Sequence, residues 1–135
     1  MSVAHGGVRV WLRLEGLAEF AVSTLLYARS GGGWGTFLLL ILAPDLSMIG
    51  YVAGPRAGAA AYDVAHSYTL PLVLAAVGMV AGSTRMVGLA LVWTAHIGID
   101  RAVGYGLKYS TSFQDTHLGR IGGKDRARTP DAAIT

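Results

Sequence analysis

The chain contains no cysteine among its 135 residues. That absence excludes disulfides, thiolate metal ligands and a cysteine nucleophile, so any bound metal must take nitrogen and oxygen ligands. Charge is scarce as well, because Asp, Glu, Lys and Arg make up 14% of the residues, against roughly 25% in an ordinary soluble domain. Hydrophobic residues make up 53%, and the two figures together predict a membrane protein.

Four long hydrophobic blocks fill most of the chain, at about residues 11–29, 34–53, 58–82 and 85–105. Each block is close in length to the ~20 residues that a helix needs to cross the hydrocarbon core of a bilayer. The blocks are separated by short turns that contain glycine or proline, "SGGGWG", "GPRAG" and "GSTR". The sequence therefore predicts an all-α membrane protein, a four-transmembrane-helix up-and-down bundle with short turns over residues 1–121.

Positive charge predicts the orientation of this bundle. The basic residues of the second turn and of the C-terminal region are Arg56, Lys108, Arg120, Lys124, Arg126 and Arg128. The positive-inside rule places both regions in the cytoplasm, and an even number of spans then places both termini there. We expect an integral membrane protein whose partner is the lipid bilayer, with no nucleic-acid partner. Residues 122–135 lack an apolar period and are predicted to form a mobile cytoplasmic tail.

Ionisable side chains fall at a similar depth in all four blocks, toward the predicted cytoplasmic side. They are Glu15, Glu19, Asp45, Asp63, His66, His96, Asp100 and Arg101. Each such group costs on the order of 2.5–3.5 kcal/mol at the centre of a membrane helix on insertion scales. Some compensating contact or function is therefore expected, and convergence of all four blocks on one layer favours a site.

Spacing brings several of these residues to shared helix faces. His96 and Asp100 are four residues apart, and Asp63 and His66 are three apart, so each pair lies on one face. In the second block, Pro44 precedes the acid Asp45 and removes a backbone hydrogen bond. A kink there would open space beside the acid, as in the discontinuous helices that line polar cavities in membranes.

Several long strings of the sequence resemble one family. The runs "RLEGL", "LAPDLSMIGYVAGPRAGAAAYDVAHSYTLP", "WTAHIGIDRAVGYGLKY" and "FQDTHLGRI" resemble domain of unknown function 4260, a family of small bacterial integral membrane proteins of unassigned activity. The resemblance covers about residues 11–121. It implies a compact four-helix membrane domain and brings no catalytic mechanism.

The motif "FQDTHLG" at residues 113–119 follows the last block. One interpretation is that the segment 109–121 folds back under the bundle and brings His117 to the polar site. The other is an interfacial anchor made by Tyr109, Phe113 and Leu118. The sequence leaves both open.

Imidazoles and carboxylates at one depth suit zinc, iron or manganese. The candidate metal ligands are Asp45, His66, His96, Asp100 and His117, and the predicted supporting residues are Glu15, Tyr62, Asp63, Tyr105 and Asp115. Without a metal, Asp45, His96, Asp100 and Arg101 are candidates for acid–base catalysis, with Arg101 binding an anion or holding Asp100 ionised. Haem between two histidines is an alternative that nothing else in the sequence supports.

Three functions fit these residues. The first is a membrane enzyme that uses acid–base or metal-assisted chemistry on a hydrophobic or lipid-like molecule. The second is a small homo-oligomeric transporter or channel subunit for protons, cations or a small solute, and the third is a structural subunit. In the third case the histidines hydrogen bond between helices as packing contacts, and Asp100 and Arg101 only mark the end of the last helix. Polar groups gathered in one layer favour the enzyme over a pathway that crosses the membrane.

Overall fold

The computed structural model describes residues 4–122, which are mostly helical. The helices are α1 (Gly6–Arg29), α2 (Trp34–Leu40), a 3₁₀ helix (Ala43–Ala53), α3 (Pro55–Ala65), α4 (Thr69–Val80) and α5 (Thr84–Val103). An antiparallel hairpin of β1 (Asp115–Thr116) and β2 (Gly119–Arg120) follows. The predicted mobile tail lies outside the described residues, apart from residue 122.

Three segments of the described chain are long and apolar enough to cross a membrane: Trp34–Ala53, Pro55–Val80 and Thr84–Val103. They support the prediction of a membrane protein. α1 has the length of a span, 24 residues, but it carries Arg9, Arg13, Glu15, Glu19 and Arg29. The fourth span of the predicted bundle therefore stays a prediction.

The second and third blocks are not the continuous helices that the sequence predicts. In the second block, α2 ends at Leu40 and a 3₁₀ helix of 11 residues begins at Ala43, where Pro44 has no backbone N–H to donate. Runs of 3₁₀ helix longer than 3–4 residues are uncommon, and within a helix they often mark a functional hinge or a strained sequence. In the third block, the chain leaves helical geometry at residues 66–68, between α3 and α4.

α5 lies at the centre of the packing and contacts both α1 and α4, while α3 packs on the 3₁₀ helix. Gly16 and Gly98 allow the backbones of α1 and α5 to approach closely. A Cβ atom on Gly16 would lie 2.7 Å from the carbonyl oxygen of Gly98, and a Cβ atom on Gly98 would lie 2.7 Å from that of Gly16. Small residues at such contacts are the usual basis of helix association in membranes.

The segment after α5 turns back onto the helix ends. Gly104 ends α5 with a positive φ of 104°, the left-handed conformation that favours glycine. The backbone N–H of Lys108 then donates to Asp63 Oδ1 at 2.6 Å. Farther along, the carbonyl of His117 accepts from the N–H of Ala4 at 3.0 Å, so this segment joins the start of α1 to the end of α3.

Candidate metal centre

Four of the predicted site residues, Asp45, His66, His96 and Asp100, converge on one point. Each offers one ligand atom, and these atoms lie within 4.8 Å of one another. The 3₁₀ helix supplies Asp45, the end of α3 supplies His66, and α5 supplies the other two. Both histidines are almost fully buried, with exposed fractions of 0% for His66 and 2% for His96.

Five of the six distances between the ligand atoms lie between 3.0 and 3.5 Å, and the sixth, between the two carboxylates, is within 4.8 Å. The two histidine Nε2 atoms are 3.0 Å apart. His66 Nε2 lies 3.3 Å from Asp45 Oδ1 and 3.5 Å from Asp100 Oδ2, and His96 Nε2 lies 3.5 and 3.4 Å from the same oxygens. A tetrahedral zinc site with bonds of about 2.0–2.1 Å has ligand-to-ligand edges of about 3.3–3.4 Å.

The break after α3 orients the ring of His66. Its Nδ1 atom lies 2.9 Å from the carbonyl oxygen of Tyr62. A carbonyl only accepts, so Nδ1 carries the proton and the Nε2 lone pair points into the group of four. Such a hydrogen bond on the far ring nitrogen is the usual support of a metal-binding histidine. The Tyr62 ring also stacks on the imidazole, with centroids 3.6 Å apart and planes tilted by 8°.

The periodicity of α5 aligns His96 with Asp100, one helical turn apart. The hydroxyl of Tyr62 approaches Asp100 Oδ2 at 3.4 Å, and the ring of His96 hydrogen bonds to the backbone of Ile41. The carboxylates are the more open members, with side chains 15% exposed at Asp100 and 34% exposed at Asp45. Any small molecule therefore approaches the group most directly from the side of Asp45.

Arg101, a candidate catalytic residue, lies behind the group and binds backbone carbonyls. Its Nη2 donates to the carbonyl of His66 at 2.7 Å, and its Nη1 donates to that of Tyr105 at 2.8 Å. The guanidinium thereby satisfies a carbonyl that the break after α3 leaves without a helical partner. The structure makes Arg101 a positioning residue for His66, and Tyr105 takes part through its backbone.

His117 and Glu15 lie outside the group of four. They line a separate cavity of about 270 Å³ that Glu19, Tyr68 and Arg101 also line. His117 Nδ1 accepts the backbone N–H of Leu107 at 2.8 Å, and burial followed by the nearby charge of Arg101 lowers the pKa of His117. The segment 109–121 does fold back, but it does not bring His117 to the other ligands.

Two further acids predicted to support the site hold the C-terminal segment instead. Asp63 accepts the backbone N–H of Lys108. Asp115 accepts from the hydroxyl of Thr111 at 2.8 Å, and this hydrogen bond lowers the pKa of Asp115. Both acids act in local structure at the end of the bundle.

Lys108 is a buried cation that sequence reasoning missed. It is 5% exposed, donates from Nζ to the carbonyl of Phe113 at 2.8 Å and lies 3.6 Å from the Phe113 ring centroid and 4.7 Å from that of Tyr62. Burial lowers the pKa of its ammonium group. A lysine after the last span usually reaches the headgroups, so its sequence position gave no signal of this packing.

Membrane-like helices around a buried polar group fit an integral membrane protein. Residues 9–121 match the family model described as Domain of unknown function (DUF4260), and because this match covers most of the chain, the protein belongs to that family. This match confirms the family that the sequence was predicted to resemble. No curated protein and no solved structure matches the chain.

Proposed function

We propose that this protein is a membrane enzyme in which Asp45, His66, His96 and Asp100 hold one zinc, iron or manganese ion for chemistry on a hydrophobic small molecule. The observation that carries the proposal is the facing pair of imidazole Nε2 atoms, 3.0 Å apart and each within 3.5 Å of both carboxylates. Such a set of donors gathers four potential ligand atoms within 4.8 Å of one another.

The charges of the group favour a divalent cation at that point. If both carboxyl groups are ionised beside two neutral imidazoles, the group carries a charge of −2, and uncompensated charge is costly within a bilayer. A single proton can join the two Nε2 atoms but leaves a net negative charge. A divalent ion neutralises both carboxylates and accepts both imidazole lone pairs.

The ligand types narrow the choice of metal. Two imidazoles and two carboxylates without sulfur suit zinc, iron or manganese. Four protein ligands complete a tetrahedral zinc site, so Lewis-acid polarisation of an oxygen on the bound molecule would require a fifth coordination position. Asp45 is the least buried ligand, so its side of the centre is where a substrate oxygen can reach the metal.

Metal content of the purified protein tests the proposal. The chain is expressed in metal-supplemented cells, purified in mild detergent and measured by inductively coupled plasma mass spectrometry. We expect about one ion per chain, lost in His66→Ala and His96→Ala. His117→Ala is the matched control, since it removes a histidine that lies outside the group, and it should retain the metal.

Two results would contradict the metal centre. One is a wild-type protein that stays metal-free after dialysis against zinc, iron and manganese, which would favour acid–base chemistry by the carboxyl groups. The other is metal retained equally by all three histidine variants. Size-exclusion profiles of each variant verify that the loss of metal does not reflect unfolding.

A further inference from the structure

A cavity of about 390 Å³ lies beside the proposed metal centre, between the 3₁₀ helix, α3 with α4, and α5. Its volume falls in the range of about 300–1,000 Å³ that small-molecule sites occupy. The walls are almost wholly apolar, with Leu74, Leu89 and Trp93 among the larger side chains. We refer to this cavity as the apolar groove.

The groove adjoins the ligands along the chain. Its lining includes Pro44 and Ala65, which directly precede Asp45 and His66, and Trp93, which lies three residues before His96. The indole N–H of Trp93 donates to the carbonyl of Ala65 at 2.6 Å. This hydrogen bond joins α5 to the end of α3 and satisfies the only polar atom of the indole. The groove and the metal centre therefore share the same three chain segments.

One unpartnered polar group lines the groove. The hydroxyl of Ser47 is buried and has no hydrogen-bond partner within residues 4–122. In a 3₁₀ helix side chains three residues apart eclipse one another, which places Ser47 in line with Pro44. A buried hydroxyl without a partner is unfavourable, so an oxygen-bearing ligand would relieve it.

All the lining residues belong to the three candidate spans. The medium at this depth is hydrocarbon, so an aliphatic chain can enter sideways without leaving an apolar environment. An occupant that fits both the walls and Ser47 has a long hydrocarbon tail and a small polar end. Single-chain amphiphiles, such as long-chain fatty acids and fatty alcohols, have this form.

We infer that the apolar groove binds the hydrocarbon chain of a single-chain lipid amphiphile, with its oxygen-bearing end directed past Ser47 toward the metal centre. This inference rests on the proposed function, because the oxygen-bearing end of the lipid would be bound at the proposed metal centre. It names the substrate class of the enzyme as a lipid that enters from the bilayer.

Photolabelling tests the groove without relying on activity. Purified protein in detergent is irradiated with a palmitic acid that carries a diazirine on its chain, and the labelled peptides are mapped. We expect saturable labelling of the groove segments that unlabelled palmitate displaces. Leu74→Trp fills the groove and should weaken the labelling by about tenfold or more. Leu72→Trp, on the same helix with a leucine that is 62% exposed, should leave it unchanged.

Ser47→Ala tests whether Ser47 contacts the oxygen-bearing end of the lipid, and this small substitution carries little risk to folding. It should weaken labelling by the palmitic acid probe while leaving labelling by a diazirine-bearing hexadecane unchanged. If Leu74→Trp does not fold, Leu89→Trp obstructs the same groove from α5. Equal labelling of the Leu74→Trp and Leu72→Trp proteins, or labels spread evenly around the apolar surface, would overturn the inference.

Metal analysis of the same samples separates this inference from the proposed function. The Leu74→Trp protein should keep its metal while it loses the lipid. A groove that labels normally in a protein that binds no metal would overturn the proposed function and leave a lipid-binding site. A metal-loaded protein without specific labelling would overturn the lipid inference alone.

Discussion

His66 lies where α3 ends, and three separate contacts fix its ring and backbone: the Tyr62 carbonyl, the stacked Tyr62 ring and the Arg101 guanidinium. Two of these contacts come from one residue, Tyr62, four positions earlier in sequence, and the third comes from Arg101 in α5. The imidazole is therefore held with its Nε2 atom toward His96 whether or not a metal is bound. Preorganisation of this kind is what a metal site requires.

Much of the candidate site could be predicted from individual residues. Asp45, His66, His96 and Asp100 stood out because ionisable side chains are costly inside an apolar span. Which other residues lie near these four could not be predicted equally well. Whether a histidine after the last span, such as His117, reaches the group depends on the path of an irregular segment, which no periodicity encodes. Lys108 was missed for the same reason.

His117 gives a pH-dependent prediction at the residue scale. Burial lowers its pKa below the ordinary value of 6.5, so the folded state favours the neutral ring, whose Nδ1 accepts from Leu107. The stabilisation is complete above about pH 6.5 and is lost as the pH falls below it, because the unfolded state then binds the proton more readily. Hydrogen exchange of residues 105–121 should accelerate from pH 7 to pH 5.

The matched variant for this prediction is His117→Asn, whose side-chain oxygen can still accept the N–H of Leu107. It should abolish the extra acceleration over this pH range. Intrinsic exchange rates, which also vary with pH, are corrected with an unstructured peptide of the same sequence. An unchanged pH profile in the variant would show that other groups control this segment.

At the scale of elements, the interruptions of the second and third blocks create the site. Two continuous helices would carry Asp45 and His66 along straight paths, whereas the 3₁₀ helix and the break at residues 66–68 direct both toward α5. Pro44 made the first interruption predictable. The second has a weaker signal in Pro71, since proline clashes with the carbonyl four residues before it and is tolerated only in the first turn of a helix. The surrounding hydrophobic run concealed that signal.

The contact between α1 and α5 gives a prediction for this scale. A Cβ atom at Gly16 would clash with the Cβ atom of Arg101, so Gly16→Ala forces the helices apart and displaces the residue that holds His66. We expect the variant to lose about 1–3 kcal/mol of stability and to bind metal more weakly. Gly7→Ala, on the same helix with open space around it, is the control in thermal unfolding and metal titration.

At the scale of the whole molecule, the packing of α1 supports the fourth span. α1 runs antiparallel along α5: Arg13 donates to the carbonyl of Ala102 at 2.7 Å, while near its other end Tyr27 lies against Gly88. A helix paired with a span over its length is expected to cross the same layer, although its charged residues keep α1 outside the candidate spans. The fourth span, and the location of both termini in the cytoplasm of a bacterial inner membrane, stay predictions.

The absence of cysteine makes this topology simple to measure. Single cysteines are introduced as Gly7→Cys, Gly33→Cys, Ala81→Cys and Ser110→Cys and are treated with an impermeant maleimide on intact cells. We expect reaction at positions 33 and 81 and protection at 7 and 110 until the membrane is opened. Reaction at both 7 and 33 would indicate that α1 does not cross the membrane.

X-ray absorption spectroscopy of the zinc-loaded protein tests the central claim most directly, because it reports the ligands of the metal itself. The account predicts about four nitrogen and oxygen ligands at about 2.0–2.1 Å, with the multiple-scattering pattern of two imidazoles in both the wild-type protein and His117→Ala, whereas His96→Ala should retain no zinc. A first shell of oxygens alone, as for zinc bound to exposed carboxylates, would contradict the four-residue centre.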